Sequence, residues 1–212
     1  MKNQYLFIIF LLFIVNNIQG QQIDISGLYS SSTAKQLKNN WGYGLRYNHF
    51  IKNNKIGLSF KHYFYNTEYD DIRSSTEDGI SKYIEEYKPQ NSRITVNLIY
   101  SYILVDNEKS NLYLGYNVGL NYYHFKGEKT RIENGFVKGG QYTYDYTVYN
   151  KLGFGLMIEY EINEVFSERI STSILINPEI TTFEKLGMVG GYDPWVIGWL
   201  NFTIGLKYSL FD

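Results

Sequence analysis

The segment from Arg93 to Leu104 reads RITVNLIYSYIL, with Ile94, Val96, Leu98, Tyr100, Tyr102 and Leu104 on one parity and Arg93, Thr95, Asn97 and Ser101 on the other. A period of two is the signature of a strand whose two faces meet different surroundings. The same pattern returns at the end of the chain. Phe202, Ile204, Leu206, Tyr208 and Leu210 share one face there, and Asn201, Thr203, Gly205, Lys207 and Ser209 share the other. Working outward from these two segments, the alternation predicts eight strands, near 22–30, 41–51, 56–66, 92–105, 111–125, 147–162, 169–177 and 195–210.

The connections alternate in length. Lys52 to Lys55 (KNNK), Asp106 to Ser110 (DNEKS) and Asn163 to Glu168 (NEVFSE) are short, whereas 31–40, 67–91, 126–146 and roughly 178–194 are long. Strands of this kind with short turns at one rim and long loops at the other describe an all-β, eight-stranded, antiparallel up-and-down transmembrane barrel. The short turns are expected in the periplasm and the long loops outside the cell. A soluble eight-stranded barrel would alternate too, and volume decides between the two. The lumen of eight strands is only just wide enough to be filled by side chains. The face carrying Gly42, Gly44, Gly57, Ser59, Gly115, Asn117, Gly153 and Gly155 suits that space better than the face of Tyr43, Leu45, Leu58, Phe60, Leu114, Tyr116, Phe154 and Leu156.

Lys2 followed by the apolar run Leu6–Val15 reads as a secretory leader, too short to span a bilayer as a helix. Residues 1–20 are therefore expected to be removed after Gly20, leaving 21–212 as one barrel domain. The chain contains no cysteine, which excludes disulfides, thiolate metal sites and a lipid-anchored N-terminus. A formal net charge of −1 and a pI near 6.3 give no electrostatic reason to expect nucleic acid. Mean hydropathy is −0.30 despite 22 Tyr and 13 Phe. Such a balance fits a barrel in which only alternate residues meet lipid.

The polar face carries charges of both signs, and buried charges persist when paired or hydrated. Arg46, Lys61, Arg93, Glu159, Glu161 and Lys207 are the expected members of a paired network that plugs the lumen. Asp24, Lys151, Arg169 and Glu179 lie on the same parity. Trp41, Tyr63, Tyr65, Tyr122, Tyr123, Tyr149, Trp195 and Trp199 fall near strand ends, where they are expected to form an aromatic girdle. In the second long loop Ile80, Tyr83, Ile84 and Tyr87 have helical spacing, with Ser75 as a cap and Pro89 as a stop, which predicts a short amphipathic helix. In the third, Tyr142, Tyr144 and Tyr146 alternate, and Asn134-Gly135 signals a hairpin that extends two strands beyond the bilayer. Tyr83, Tyr87, Tyr142 and Tyr144 are the candidate binding surface of these loops.

The only neutral-pH bases are His49, His62 and His124, none in a recognisable motif, and no metal-ligand or phosphate-loop spacing occurs. No cofactor is implied, and no enzyme. The Gly-x-Gly steps at Gly42–Gly44 and Gly153–Gly155, the leader ending in Gly-Gln-Gln and the final strand Trp199–Phe211 resemble the small outer-membrane β-barrel family that includes PorT-like proteins. The architecture is similar to that of the OmpA and OmpX barrels. The resemblance implies a Gram-negative outer membrane as location, with outer-membrane lipid and the barrel assembly machinery as partners. It adds a possible secretion-related role to that of a structural barrel whose external loops bind a protein or glycan. A narrow transport barrel or a lipid-modifying enzyme is the alternative.

Overall fold

A computed structural model describes residues 20–34, 37, 39–65, 68–74, 82–133, 136–182 and 196–210. The strands are β1 (Gln21–Ser32), β2 (Asn40–Ile51), β3 (Asn54–Tyr65), β4 (Tyr69–Ser74), β5 (Lys82–Pro89), β6 (Asn91–Asp106), β7 (Ser110–Glu133), β8 (Phe136–Ser167), β9 (Ile170–Thr182) and β10 (Val196–Ser209). All neighbouring strands pair antiparallel. β1, β2, β3, β6, β7, β8, β9 and β10 close into a ring, with β1 pairing β10 from Gln22↔Ser209 to Ser32↔Trp199. β4 and β5 stand outside it.

Parity sorts the wall as the alternation predicts. Leu98, Leu156 and Ile204 are 61, 64 and 67% exposed, and Leu45, Leu58, Tyr116, Ile158 and Leu206 also face outward. Contiguous apolar surface on this scale belongs against lipid. No helix among the described residues is long and apolar enough to cross a membrane. In a bilayer, ring closure satisfies the backbone groups that an open sheet would leave bare.

Two of the short reversals fall where the sequence places them. Lys52 and Asn53 make the turn between β2 and β3, with Lys52 at φ 56°, and Asn107 and Ser110 exchange backbone hydrogen bonds between β6 and β7. The third differs in detail. β8 runs on to Ser167, past a register shift after Ile162, and the chain reverses at Glu168 and Arg169. Arg169 is thus a turn residue, although its parity suggested a lumen position. β9 likewise continues past Pro178 to Thr182.

At the other end the structure departs from the sequence reading. No helix forms from Tyr83, Ile84 and Tyr87. They lie in β5, which pairs β4 on one side and β7 on the other, from Pro89↔Gly127 to Tyr83↔Glu133. Ser75 and Ile80 lie outside the described residues. The local 3.6-residue spacing yields to the strand propensity of Tyr and Ile once β7 offers a ladder. β7 and β8 also continue past the ring, paired as far as Glu133↔Phe136, so a four-stranded sheet β4–β5–β7–β8 stands beyond the rim. Asn134-Gly135, at its tip, lies outside the described residues.

The girdle assignment holds for only part of its members. Trp41 and Tyr149 are exposed on the outer wall, and Tyr122 is half-buried there. Tyr63, Tyr65, Tyr123 and Trp199 instead point inward and are buried. Their parity explains it, because Tyr63 and Tyr65 share a face with Ser59 and Lys61, Tyr123 with Asn117 and Asn121, and Trp199 with Asn201. Trp195 lies outside the described residues.

If the outer face meets lipid, Arg at Leu98, Leu156 or Ile204 should lower stability by about 2–4 kcal/mol near the midplane and far less at the rims. Urea titration in lipid vesicles measures this, and equal costs at the midplane and rims would contradict it.

Candidate functional site

Two regions carry the chemistry of this chain: the lumen and the sheet beyond the rim. In the lumen, strand tilt brings together residues more than a hundred positions apart. Arg46 on β2 donates to Asp24 Oδ2 at 2.5 Å and to both oxygens of Glu159 on β8. Lys207 pairs with Glu159 and, at 2.6 Å, with Glu161. Lys55 reaches Glu161 at 2.6 Å and Glu159 at 3.8 Å, with its ammonium 3.3 Å from the centroid of the Tyr113 ring. Gln22 Nε2 donates to Glu161 Oε1 at 2.8 Å. This cluster fills the short-turn end. Lys55 is a member that sequence reading assigns to the KNNK turn, although it shares parity with Ser59 and Lys61.

Nearer the loop end Arg93 pairs with Glu179, and its Nε donates to Asn121 Oδ1 at 2.8 Å. The guanidinium lies 4.0 Å from the Trp199 ring and 5.3 Å from that of Tyr63. Trp199 stacks on Tyr123 and donates Nε1–H to Thr181 Oγ1 at 3.1 Å. Tyr65, Phe125, Leu28 and Ile197 complete an aromatic and aliphatic layer, against which Tyr144, Tyr146 and Val148 of β8 pack. Between the ionic cluster and this layer lie Ile99, Met157 and Leu175. Lys61 stands apart. Its Nζ donates to Asn177 Oδ1 at 3.4 Å and has no carboxylate within ion-pair reach among the described residues.

The sheet beyond the rim has a polar and aromatic surface. Glu85 pairs with Lys129 at 2.6 Å and accepts from the Tyr87 hydroxyl at 2.6 Å, and Arg131 lies 3.7 Å over the Tyr83 ring. Tyr142, Phe136 and Val137 are exposed, and Tyr83 and Tyr144 are half-buried. Tyr87 departs from the surface role suggested by the sequence: it is buried, because its parity turns it to the same face as Glu85 and away from the exposed Ile84. Burial pushes the Tyr144 and Tyr146 hydroxyls above their usual range, so both remain neutral donors at physiological pH.

The three histidines are far apart. His49 pairs across to Gln21 and Ile56 at the short-turn end, and His62 contacts Tyr43 on the outer wall at 3.1 Å. His124, on β7 near the loop-end rim, has Nδ1 3.1 Å from Thr147 Oγ1 and Nε2 3.4 Å from Asp145 Oδ1. No group of three or more His, Asp or Glu side chains among the described residues is arranged to hold a metal ion.

Solved structures that match this geometry include small outer-membrane barrels. Neisserial surface protein A superposes with a TM-score of 0.55 at 10% identity, over 91% of this chain and 98% of that one. The N-terminal β-barrel domain of Pseudomonas aeruginosa OprF gives 0.47 at 11% identity, over 88% and 97%. Ail, the attachment invasion locus protein of Yersinia pestis, gives 0.43 at 15% identity, over 89% and 99%. No protein-family model and no curated protein matches the sequence. The fold is that of the small, eight-stranded outer-membrane β-barrels, of the OmpA and OmpX kind.

Removing one member of the Arg93–Glu179 pair leaves a buried charge uncompensated, so Arg93→Met should cost about 3–5 kcal/mol. Adding Glu179→Leu should recover a large part of that cost, as a double-mutant cycle by urea titration will measure. Additive losses would mean that the two side chains are energetically independent.

Proposed function

We propose that this chain is an integral barrel of a Gram-negative outer membrane, delivered by a leader that is cleaved after Gly20 and inserted by the barrel assembly machinery. It acts by binding a protein or glycan outside the cell. The observation that carries this reading is the β4–β5–β7–β8 sheet. Its last paired residue on β7, Glu133, lies nine positions beyond His124, where the pairing with β6 stops, or roughly 30 Å of strand. Nothing in ring closure requires it, and it exposes Phe136, Val137 and Tyr142. Supporting the leader, β1 begins at Gln21. Supporting a plug rather than a passage, Arg46, Lys55, Arg93, Glu159 and Lys207 are all buried across the lumen. The secretion-related role implied by the PorT-like resemblance would use the same external surface.

Protease treatment of intact cells should cut within the sheet beyond the rim and spare Lys52–Lys55 and Asp106–Ser110. A photo-cross-linking residue at Tyr142 should give discrete adducts that the same residue at Ile51 does not. Cleavage at the short turns would invert the orientation and remove the proposed surface with it.

A second reading, a lipid-modifying enzyme, has one observation on its side. Thr147, His124 and Asp145 form a hydroxyl–imidazole–carboxylate chain on one face of β7 and β8, with His124 two residues from Tyr122 and Thr147 two residues from Tyr149. Such an order is that of a nucleophile, its base and an orienting group. On this reading the protein in phospholipid vesicles releases fatty acid, and Thr147→Val or His124→Gln abolishes the release. Wild-type protein that releases none excludes it.

A further inference from the structure

Asn117, Gly155, Glu179, Trp199 and Ser32 stand opposite one another on five successive strands, β7, β8, β9, β10 and β1. Their parity is that of the lumen, so on the outer wall this row presents only backbone. The residues before and after each of them point outward and bank a groove of about 870 Å³. Tyr116, Leu156, Pro178, Leu200 and Ser31 form one bank, and Val118, Phe154, Ile180, Gly198 and Thr33 form the other. The banks are two residues apart along each strand, roughly 7 Å. That admits a single hydrocarbon chain and is too narrow for a helix, whose diameter is about 10 Å.

The groove climbs the wall. It starts beside Tyr116 and Val118, midway along the Asn111–His124 stretch of β7 that pairs with β6, and ends at the loop-end limit of the seam, where Ser32 pairs with Trp199. Four strand spacings separate its ends, roughly 19 Å. Because the strands of such barrels are tilted, this slanting course covers about 15 Å of depth, the hydrocarbon of one leaflet. Its polarity changes along the way. The lower part is lined by Tyr116, Val118, Phe154, Leu156 and Ile180, whereas at the rim Gly198 brings no side chain and Ser31 and Thr33 bring hydroxyls. Thr33 Oγ1 accepts from Gly198 N–H at 3.1 Å, which leaves its own proton to donate. Apolar at depth and hydrogen-bonding at the rim is the profile of an ester-linked lipid chain.

We propose that this groove seats one resident lipid of the leaflet at the loop end, with one acyl chain lying along it. The methyl end lies at Tyr116, and the ester carbonyl accepts from Thr33. This inference rests on the outer-membrane reading and goes beyond it: lipid elsewhere on the wall exchanges freely, whereas a chain here is held between two banks and hydrogen-bonded at its head. Gly198 opens the seat. A Cβ there would meet only Thr33, with Cγ2 at 3.2 Å, so a larger side chain suits the backbone but fills the groove. Gly27 is the matched control, because it faces outward on the same seam, has open space at its Cβ position and lies outside the groove.

The test is native mass spectrometry of the folded chain in lipid-free dodecyl maltoside micelles, titrated with dipalmitoylphosphatidylethanolamine. Wild-type protein should bind its first lipid about tenfold more tightly than its second. Gly198→Phe should abolish that difference, and Gly27→Phe, which adds the same ring elsewhere on the seam, should keep it. If Gly198→Phe does not fold, Ser31→Leu fills the same end of the groove from β1 and should have the same effect. Equal affinities for the first and later lipids overturn the proposal and leave the outer-membrane reading standing. A tight first lipid that survives the filled groove overturns it too. A chain that stays folded and monomeric in buffer without detergent overturns the outer-membrane reading, and this site with it.

Discussion

The seam between β1 and β10 is the constraint on which the rest of the structure depends. Eleven residue pairs join the first strand to the last, from Gln22↔Ser209 to Ser32↔Trp199. Without that ladder the ring becomes an open sheet with two bare edges, which hydrocarbon does not tolerate. Closure also fixes parity for the whole wall. A slip of one residue at the seam would turn Ile204 and Leu206 inward and Lys207 outward. The register that satisfies the backbone is therefore the one that puts Lys207 beside Glu159 and Glu161.

From closure follows the electrostatic problem of the interior. Eight strands leave a lumen that side chains must fill, and here polar and charged residues fill most of it. Each buried charge needs a counter-charge from another strand, so the ion pairs link β2 with β8, β3 with β8, β6 with β9 and β10 with β8. Such pairs add little net stability over an apolar filling, but they penalise every registry that separates them. Gly155 shows how tight the filling is. A Cβ there would come within 2.5 Å of both Asn117 Oδ1 and Asn177 Nδ2.

Much of this is legible in the sequence because the strand period is an integer: once Ile94–Leu104 is assigned to the outer face, Arg93, Thr95 and Asn97 have nowhere to go but inward. The aromatic residues are where position along the strand competes with parity. Tyr63, Tyr65, Tyr123 and Trp199 sit at strand ends, as girdle residues do, yet their parity is that of the lumen, and parity prevails. Which cation meets which carboxylate is not legible, because it depends on strand tilt and closure. Glu159 meets Arg46 across 113 positions of sequence, while Lys61, of the same parity, donates to the Asn177 amide oxygen and has no carboxylate in ion-pair contact among the described residues. Tyr83 and Tyr87 fail for another reason. Their spacing suits a helix, but the outcome is decided by pairing with β7, a partner that lies outside their own stretch of sequence.

The sheet beyond the rim reverses the logic of the ring. β4 has one described neighbour, and β8 above Gly153 pairs only with β7 among the described residues, so each presents an edge of backbone donors and acceptors. In the membrane such an edge would be intolerable; in water it is tolerated but invites pairing with other chains. Edges are commonly blunted by charge, and here β4 carries Asp70, Asp71 and Arg73 while β8 carries Lys138 and Asp145 along the stretch where Phe136, Val137 and Tyr142 are exposed. Phe136, Val137 and Tyr142 stay exposed beside those charges, and they are the side chains that the proposed binding role would use. On that proposal the closed ring is the base in the membrane, and the contacts are made by the part of the sheet that escapes closure.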